Sequence, residues 1–330
     1  MKKITTMLKT NYEFIFCIIL LLIILGIAIN PSTYIDATYY GISIWAKIVL
    51  PSIFCFFFLT KLFMFNNSGV KIFSKIGRPF AKIYNNENIS FYIFVMSIIS
   101  GYPIGVKLIA EYYEKGVLDE SSAHRLLALS STSGPIFILG SLTSKMLNGN
   151  SKIGIIILTS HIVATLLLGL MFRNFKTKNN KNIKKNENLI KKNTNFDINS
   201  IMYDTIISVF MVGGFIALCF TLLEFLSNLS IINIIKNYLF KITGSSVISG
   251  VFKGIIEMTT GCLALSKSTS NPILLTCLLT GLVTFGGLSI HLQSNLFLSK
   301  VKIKYGFFLK IKIIQTIIAV AISLIISLIV

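Results

Sequence analysis

Two apolar stretches of the chain carry the same arrangement of a hydroxyl residue, a glycine and, six positions after the glycine, a lysine. The first is Ser100-Gly101 with Lys107, and the second is Thr260-Gly261 with Lys267, 160 residues further on. Glycine interrupts a helix, and interrupted backbone is tolerated at membrane depth only where it lines a cavity or a site. The hydroxyls, the half-helix N-termini and the lysine suit a small polar or anionic solute. The spacing therefore predicts a binding site.

A second pair of interruptions follows in the same order. Thr132-Ser133-Gly134-Pro135 corresponds to Thr284-Phe285-Gly286-Gly287 at an offset of 152 residues. For a single glycine, tight helix packing is the simpler interpretation. Four paired interruptions favour a site formed where they meet.

Ionisable side chains inside apolar segments are costly and usually functional. Lys107 can neutralise a substrate carboxylate or reach the cytoplasmic surface. Glu257 can serve the substrate or a gate, or it can pair with Lys253 on the same helical face. His161 is best explained as a packing histidine. The predicted substrate-binding residues are Ser100, Gly101, Tyr102, Pro103, Lys107, Ser131, Thr132, Ser133, Gly134, Glu257, Thr259, Thr260, Gly261, Gly286, Gly287, His291 and Gln293.

The sequence contains no recognisable enzyme motif. It has no phosphate-cradling Gly-Lys-Ser/Thr loop, no metal-binding histidine pair and no nucleophile elbow. The five cysteines lie in apolar stretches without metal-site spacing. We therefore expect no catalytic residues, no metal site and no cofactor, although a coupling cation could accompany the solute.

The composition places these motifs in a membrane protein. Of 330 residues, 54% are hydrophobic and only 13% are charged, against roughly 25% in soluble domains. The net charge of +19 does not indicate a nucleic-acid partner, because the basic residues cluster in loops between apolar segments. The lipid bilayer is the expected partner, and a homo-oligomer is compatible with this class of protein.

The loop charges predict which apolar segments cross the bilayer. Nine segments are candidates, at 12–30, 41–65, 91–112, 126–146, 153–172, 201–226, 246–266, 272–299 and 306–330. The linker 173–199 contains eight Lys or Arg residues and belongs in the cytoplasm. With a cytoplasmic N-terminus, this requires that 91–112 turn back at Gly101-Tyr102-Pro103 as a re-entrant hairpin. The same argument for Lys300–Lys312 makes 246–266 a second hairpin that turns near Gly261.

The predicted fold is an all-α polytopic membrane protein with an inverted repeat. Each half runs span, re-entrant hairpin, broken span, span, and one N-terminal span precedes them, giving about seven spans and two hairpins. The parts are an N-terminal helix with an external loop (1–40), the first half (41–172), a basic cytoplasmic linker (173–200) and the second half (201–330).

At these motifs the chain resembles the sporulation integral membrane protein YlbJ family. The matching stretches are Ser100–Lys107, Ser133–Gly140, Glu257–Cys262 and Phe285–Gln293. The family is similar to the nucleoside-recognition or Gate superfamily, so the resemblance implies an inverted-repeat transporter. It also implies transport of dipicolinate from mother cell to forespore across the outer forespore membrane during sporulation. Tyr102 could stack on the pyridine ring.

Three hypotheses follow for function. The first is transport of a small anionic solute, with dipicolinate implied by the resemblance. The second is transport of a nucleoside or nucleobase, which would not need a cationic side chain in the site. The third is a membrane scaffold in spore-envelope assembly that transports nothing, in which case substitutions at the interruptions should be tolerated.

Overall fold

The computed structural model describes residues 2–65, 67–177, 197–228 and 247–330, and the regular structure in these ranges is entirely helical. Most of the predicted basic linker, residues 178–196, lies outside the described residues. Four helices are long and apolar enough to cross a membrane, namely Ser151–Phe172, Ile198–Asn228, the broken helix Pro272–Val301 and Tyr305–Ile329. Shorter apolar helices accompany them. The chain is a polytopic helical membrane protein, and the count of seven spans and their orientation stay predictions.

The N-terminal region differs from the expected span and external loop. Helix α1 (Lys2–Ile29) is followed by α2 (Pro31–Ile44). The chain bends by 104° between the apolar part of α1, Cys17–Ile29, and the segment Pro31–Val49. Residues 31–40 were expected as a loop but are helical, because Pro31 occupies the first turn, where its missing N–H costs nothing. A π-helical turn, Trp45–Val49, leads into α3 (Leu50–Phe65), and α4 (Asn67–Ile76) and α5 (Arg78–Ile83) follow.

The first hairpin consists of α6 (Ser90–Ser100) and α7 (Ile104–Glu114), which pack against each other. Its turn falls at Gly101-Tyr102-Pro103, as the sequence predicted. The next segment is the first broken helix, made of α8 (Glu120–Ser130) and a π-helical segment, Ile136–Met146, with non-helical backbone at 131–134. Helix α9 (Ser151–Phe172) completes this half.

The second half repeats this order of elements. Helix α10 (Ile198–Asn228) precedes the second hairpin, α11 (Val247–Ile256) and α12 (Met258–Ser266). The second broken helix follows as α13 (Pro272–Phe285) and α14 (Gly287–Leu298), interrupted at Gly286 with φ of +91°. A 3-10 turn, Ser299–Val301, leads to α15 (Tyr305–Ile329).

The prediction that the second hairpin turns at Gly261 was wrong, because the turn is at Glu257. Glu257 is extended (φ −137°, ψ 113°), and its side chain caps α12. Gly261 lies inside α12, where a Cβ would collide with the backbone of Gly254 on the other arm. Its equivalent in the first hairpin is Gly105, whose Cβ would meet Ser130 and Ser97. Gly105 comes four residues after Gly101, and Gly261 comes four residues after Glu257, so the offset of the repeat here is 156.

The two halves interlock around the broken helices. Helix α9 of the first half packs against α13 and α15 of the second, and α10 packs against α2 and α3. The second hairpin touches the π-helical segment through α12, and α14 touches α7. The outer faces of α9, α10 and α15 expose large apolar side chains, as lipid contact requires. All four interruptions are thereby brought to the centre of the bundle.

Candidate functional site

A cavity at the centre of the bundle is lined by both hairpin tips and both broken helices. The first tip contributes Ser100–Tyr102 and the first break contributes Ser133–Gly134. The second tip contributes Glu257–Thr259, and the helix after the second break contributes Ser289–Gln293. The remaining wall is apolar and comes from the π-helical turn after α2, from α3 and from α10. The space between these walls is about 640 Å³ including its open side.

The first tip is shaped by Gly101. Its φ of +71° and ψ of −165° fall in a region that is essentially restricted to glycine. A Cβ here would lie 2.5 Å from the nitrogen of Gly134, so the tip and the first break are in backbone contact. Thr132 Oγ1 donates to the Ser97 carbonyl (2.8 Å), and the Ser100 and Thr60 hydroxyls are 2.7 Å apart. These contacts fix the tip against α3 and against the broken helix of its own half.

The second tip is closed by a carboxylate. The Glu257 carboxylate accepts hydrogen bonds from the backbone N–H groups of Thr259 (3.1 Å) and Thr260 (2.7 Å) and from the Thr260 hydroxyl (2.7 Å). Only 1% of Glu257 is exposed. Among the described residues these donors hold the carboxylate, and Lys253 forms no ion pair with it. The N-terminus of α12, which the sequence offered to an anion, is therefore occupied by the protein's own negative charge.

The second tip also contacts its own broken helix. A Cβ on Gly287, whose φ is +69°, would lie 2.9 Å from the Gly254 carbonyl oxygen and 3.0 Å from the Met258 nitrogen. The backbone of the second break thus reaches both arms of the second hairpin. Each hairpin therefore rests on the broken helix of its own half, and the cavity lies where the two pairs meet.

Lys312 is the site residue that the sequence argument missed. It was counted among loop lysines, but it lies in α15 with no solvent exposure. Its ammonium donates to Tyr102 Oη (2.6 Å), the Ser131 carbonyl (3.2 Å) and Gln315 Oε1 (2.9 Å). It thus joins the first tip, the first break and the last helix. A usable signal was the buried stripe at helical spacing in an otherwise apolar helix, Lys312, Gln315, Ala319 and Ser323.

His161 joins the two breaks directly. Its Nε2 accepts from the Ser133 backbone N–H (2.9 Å), and its Nδ1 contacts Thr284 Oγ1 (3.0 Å). Tyr102 also reaches the second break, since its hydroxyl donates to the Thr284 carbonyl (3.1 Å). His161 is a satisfied buried histidine, yet it is also a bridge between the two halves at the level of the cavity.

The structure sorts the predicted site residues into four groups. Those that line the cavity are Ser100, Gly101, Tyr102, Ser133, Gly134, Glu257, Thr259 and Gln293. Those that lie behind the lining are Ser131, Thr132, Thr260, Gly286, Gly287 and His291, the last held by the Phe285 carbonyl and the Tyr305 hydroxyl. Pro103 and Lys107 line a neighbouring pocket, and Gly261 packs the second hairpin.

The neighbouring pocket shares Val212 and Gln293 with the cavity and is lined by Lys107, while Lys61 contacts two other lining residues, Asp204 and Ser208. Lys107 lies 3.9 Å from Glu111, and Lys61 lies 3.9 Å from Asp204 and donates to the Ser208 hydroxyl at 3.1 Å. This pocket is a charged approach to the cavity rather than part of its wall.

The described residues contain no group of three or more His, Cys, Asp or Glu side chains that could hold a metal ion. The polar groups at the cavity are hydroxyls, amides, one carboxylate and backbone N–H groups at helix N-termini. Such a set can bind a small polar solute through hydrogen bonds and partial charges.

Comparison with known proteins supports the family resemblance. The chain is 22% identical over 311 residues to the sporulation integral membrane protein YlbJ of Bacillus subtilis, which covers 87% of this chain and 76% of that protein. No protein-family model matches the chain. No solved structure matches it. The relative is likewise an integral membrane protein.

Proposed function

We propose that this protein is a membrane transporter of a small solute that binds between the two hairpin tips and the two helix breaks. One observation carries the proposal, namely that all four interruptions of the apolar segments line or adjoin one central cavity. Interrupted helices from two repeats around a central site are the arrangement of secondary transporters. A scaffold would need helix packing but not a cavity with unwound backbone at its wall.

We further propose an anionic substrate, dipicolinate, moved from mother cell to forespore during sporulation. The sequence resemblance implies this solute, and the similar Bacillus subtilis protein is named for sporulation. Three helix N-termini near the cavity, at α7, the π-helical segment and α14, have no side-chain cap and present their positive ends. Under this proposal the protein resides in the outer forespore membrane with its N-terminus in the cytoplasm.

A nucleoside or nucleobase is the second candidate, and Glu257 is the observation that favours it. A carboxylate that lines the cavity repels a dianion, whereas it can accept hydrogen bonds from sugar hydroxyls or a base edge. Gln293 offers both a donor and an acceptor on the same wall. The two candidates therefore differ in what removal of the Glu257 charge should do.

The first experiment measures dipicolinate in spores of a strain that lacks the gene, with and without rescue by the wild-type protein. We expect spores of the deletion strain to be depleted of dipicolinate and rescue to restore it. Normal dipicolinate in the deletion strain would overturn the sporulation assignment. Gly214→Ala is the matched rescue control, because a Cβ at Gly214 meets nothing within 4 Å.

The second experiment measures uptake of labelled dipicolinate and labelled uridine by proteoliposomes. Glu257→Gln should preserve or increase dipicolinate uptake, because it removes a repulsive charge while the amide oxygen still accepts from α12. It should depress uridine uptake if uridine is the substrate. Absence of flux for both solutes with the wild-type protein would favour the scaffold hypothesis.

A further inference from the structure

Lys312 has no carboxylate partner within ion-pair distance among the described residues, although no part of it is exposed. A charged lysine is expensive at membrane depth and usually marks a pathway or a relay. The cost here is met by three hydrogen-bond acceptors, one on the first tip, one at the first break and one on α15 itself.

The hydrogen-bond partners of Lys312 match the three hydrogens of a protonated side chain. The Tyr102 hydroxyl gives its own hydrogen to the Thr284 carbonyl, so it must accept from Lys312. The Ser131 partner is a carbonyl, which only accepts. All three hydrogens of an ammonium group are used if Gln315 also presents an acceptor.

Gln315 does present its carbonyl oxygen, because Thr165 fixes its orientation. The Thr165 hydroxyl donates to the His161 carbonyl (2.8 Å), so it must accept from Gln315 Nε2 (2.7 Å). The other end of the amide, Oε1, then faces Lys312. An ammonium group on Lys312 therefore finds an acceptor for each of its three hydrogens.

The ammonium lies where a transporter of this architecture would hold a coupling cation. Ser131 follows the last residue of α8, so its carbonyl lies at the negative end of a half-helix. Carbonyls at such ends coordinate the coupling ions of transporters with broken helices. Here the position is filled by a cation that is tethered to α15.

We infer that the coupling ion of this protein is a proton carried on Lys312, in place of a metal cation. The inference rests on the proposed transport function. While Lys312 is protonated, its ammonium holds Tyr102 of the first tip to Ser131 of the first break. When an N–H bond of Lys312 breaks, the electron pair stays on nitrogen and the proton passes to water. The amine then has two hydrogens for three acceptors, so one hydrogen bond of this network is lost and the hold on the first tip weakens.

The other titratable groups around Lys312 are accounted for by their hydrogen bonds. On α9, His161 is neutral, because its Nε2 accepts from the Ser133 N–H. On α14, His291 donates from Nε2 to the Phe285 carbonyl, and its Nδ1 meets the Tyr305 hydroxyl. On the first tip, Tyr102 is a neutral phenol that donates to Thr284. Among these groups, Lys312 is the one to which we assign a positive charge, so it is the one that can release a proton at moderate pH.

The first test compares uptake driven by a pH gradient with uptake driven by a sodium gradient in proteoliposomes. We expect the wild-type protein to accumulate dipicolinate with a pH gradient and to lose this accumulation with a protonophore. Lys312→Arg keeps the charge but does not release a proton at physiological pH, so accumulation should be lost. Accumulation that requires sodium, or a Lys312→Arg protein that still responds to the pH gradient, would overturn the inference.

The second test does not depend on the substrate. A single cysteine replaces Ile53 on the cavity wall of a cysteine-free protein, and its alkylation rate is measured against pH. Lys115→Cys, outside the cavity, corrects for thiol ionisation. One-proton release predicts that the corrected rate rises by about tenfold per pH unit, up to the pH at which the tip is mostly open. Lys312→Arg should remove this slope.

The two tests distinguish a failure of the inference about Lys312 from a failure of the transport proposal. A corrected slope that is equal in the wild-type and Lys312→Arg proteins would overturn the role of Lys312. Absence of solute flux together with an intact, Lys312-dependent slope would overturn the transport proposal but leave the proton-linked movement of the tip standing.

Discussion

Replacement of Gly101 by alanine should destabilise the protein more than the same change at Gly149 or Gly214, two glycines with open space at the Cβ position. Two separate costs meet at this residue. Its φ of +71° and ψ of −165° are a strained conformation for any residue with a Cβ, at about 1–3 kcal/mol. The new Cβ would also lie 2.5 Å from the Gly134 nitrogen, and overpacking of this kind costs about 1–3 kcal/mol. The sum is about 2–6 kcal/mol.

Two control variants separate these costs. Gly149 has φ of +82° with nothing within 4 Å of its Cβ position, so Gly149→Ala should show only backbone strain, about 1–2 kcal/mol. Gly214 lies within α10 in open space, so Gly214→Ala should be neutral or stabilising by up to about 1 kcal/mol. The expected order of stability is Gly214→Ala, wild type, Gly149→Ala, Gly101→Ala.

The assay is thermal unfolding of the purified protein in one detergent, followed by circular dichroism. With an unfolding entropy of about 2.1 cal/mol/K per residue, 1 kcal/mol corresponds to roughly 1.5 °C in this chain, so Gly101→Ala should lower Tm by at least about 3 °C. If Gly101→Ala unfolds at the same temperature as Gly149→Ala, the backbone contact between the first tip and the first break is refuted. If it unfolds with the wild type, the glycine-only conformation is refuted as well.

Three further predictions concern the packing, the bridge between the halves and the charged approach. Gly261→Ala should destabilise the protein by about 1–3 kcal/mol in the same assay, because its Cβ would meet the Gly254 backbone; equal stability with the wild type would restore Gly261 to the tip. His161→Phe leaves the buried Ser133 N–H without an acceptor and should cost about 1–3 kcal/mol, and an unchanged Tm would contradict the bridge. Lys107→Ala should slow dipicolinate uptake at low salt and match the wild type at high salt, since Lys107 lies outside the cavity; a salt-independent loss of uptake would place it in the binding site.

The sequence predicted the helical elements better than it predicted the contacts between them. Apolar length and loop charge indicated a membrane protein, and glycine marked the first turn and both breaks. These signals are local, because a φ above zero or a helix stop is a property of a few adjacent residues. The helical conformation of residues 31–40 was missed, because a polar stretch after a span reads as a loop until its proline is considered as a first-turn residue.

The second turn shows why sequence similarity between repeats was an incomplete guide. A Thr-Gly pair looked like the counterpart of Ser100-Gly101, but glycine serves two different purposes in the two hairpins. Gly101 permits a backbone conformation, whereas Gly261 permits close approach of two helices. Only the structure distinguishes these, since the sequence does not report which helix lies opposite a glycine. The counterpart of Gly261 is Gly105, which the sequence comparison passed over.

Lys312 was missed because the lysines of this region were counted together as loop charges, without asking which face of a helix each one occupies. Lys310 and Lys312 are two residues apart, so they point to different sides of α15, and Lys312 shares its side with Gln315 and Ser323. The positive-inside argument treats both lysines as loop charges. A stripe of polar and small residues at spacings of three and four in an apolar helix is a signal that this argument does not use.

The two tips are therefore alike in topology and opposite in charge. The first tip is tied through Tyr102 to the Lys312 ammonium, and the second is closed by the Glu257 carboxylate. A solute between them experiences a field directed from one half of the protein to the other, so an asymmetric solute has a preferred orientation in the cavity. Because the positive charge is carried by a removable proton and the negative charge is held by three hydrogen bonds, loss of that proton changes the field at the first tip alone. An inverted repeat with equal tips would lack this difference between its two halves.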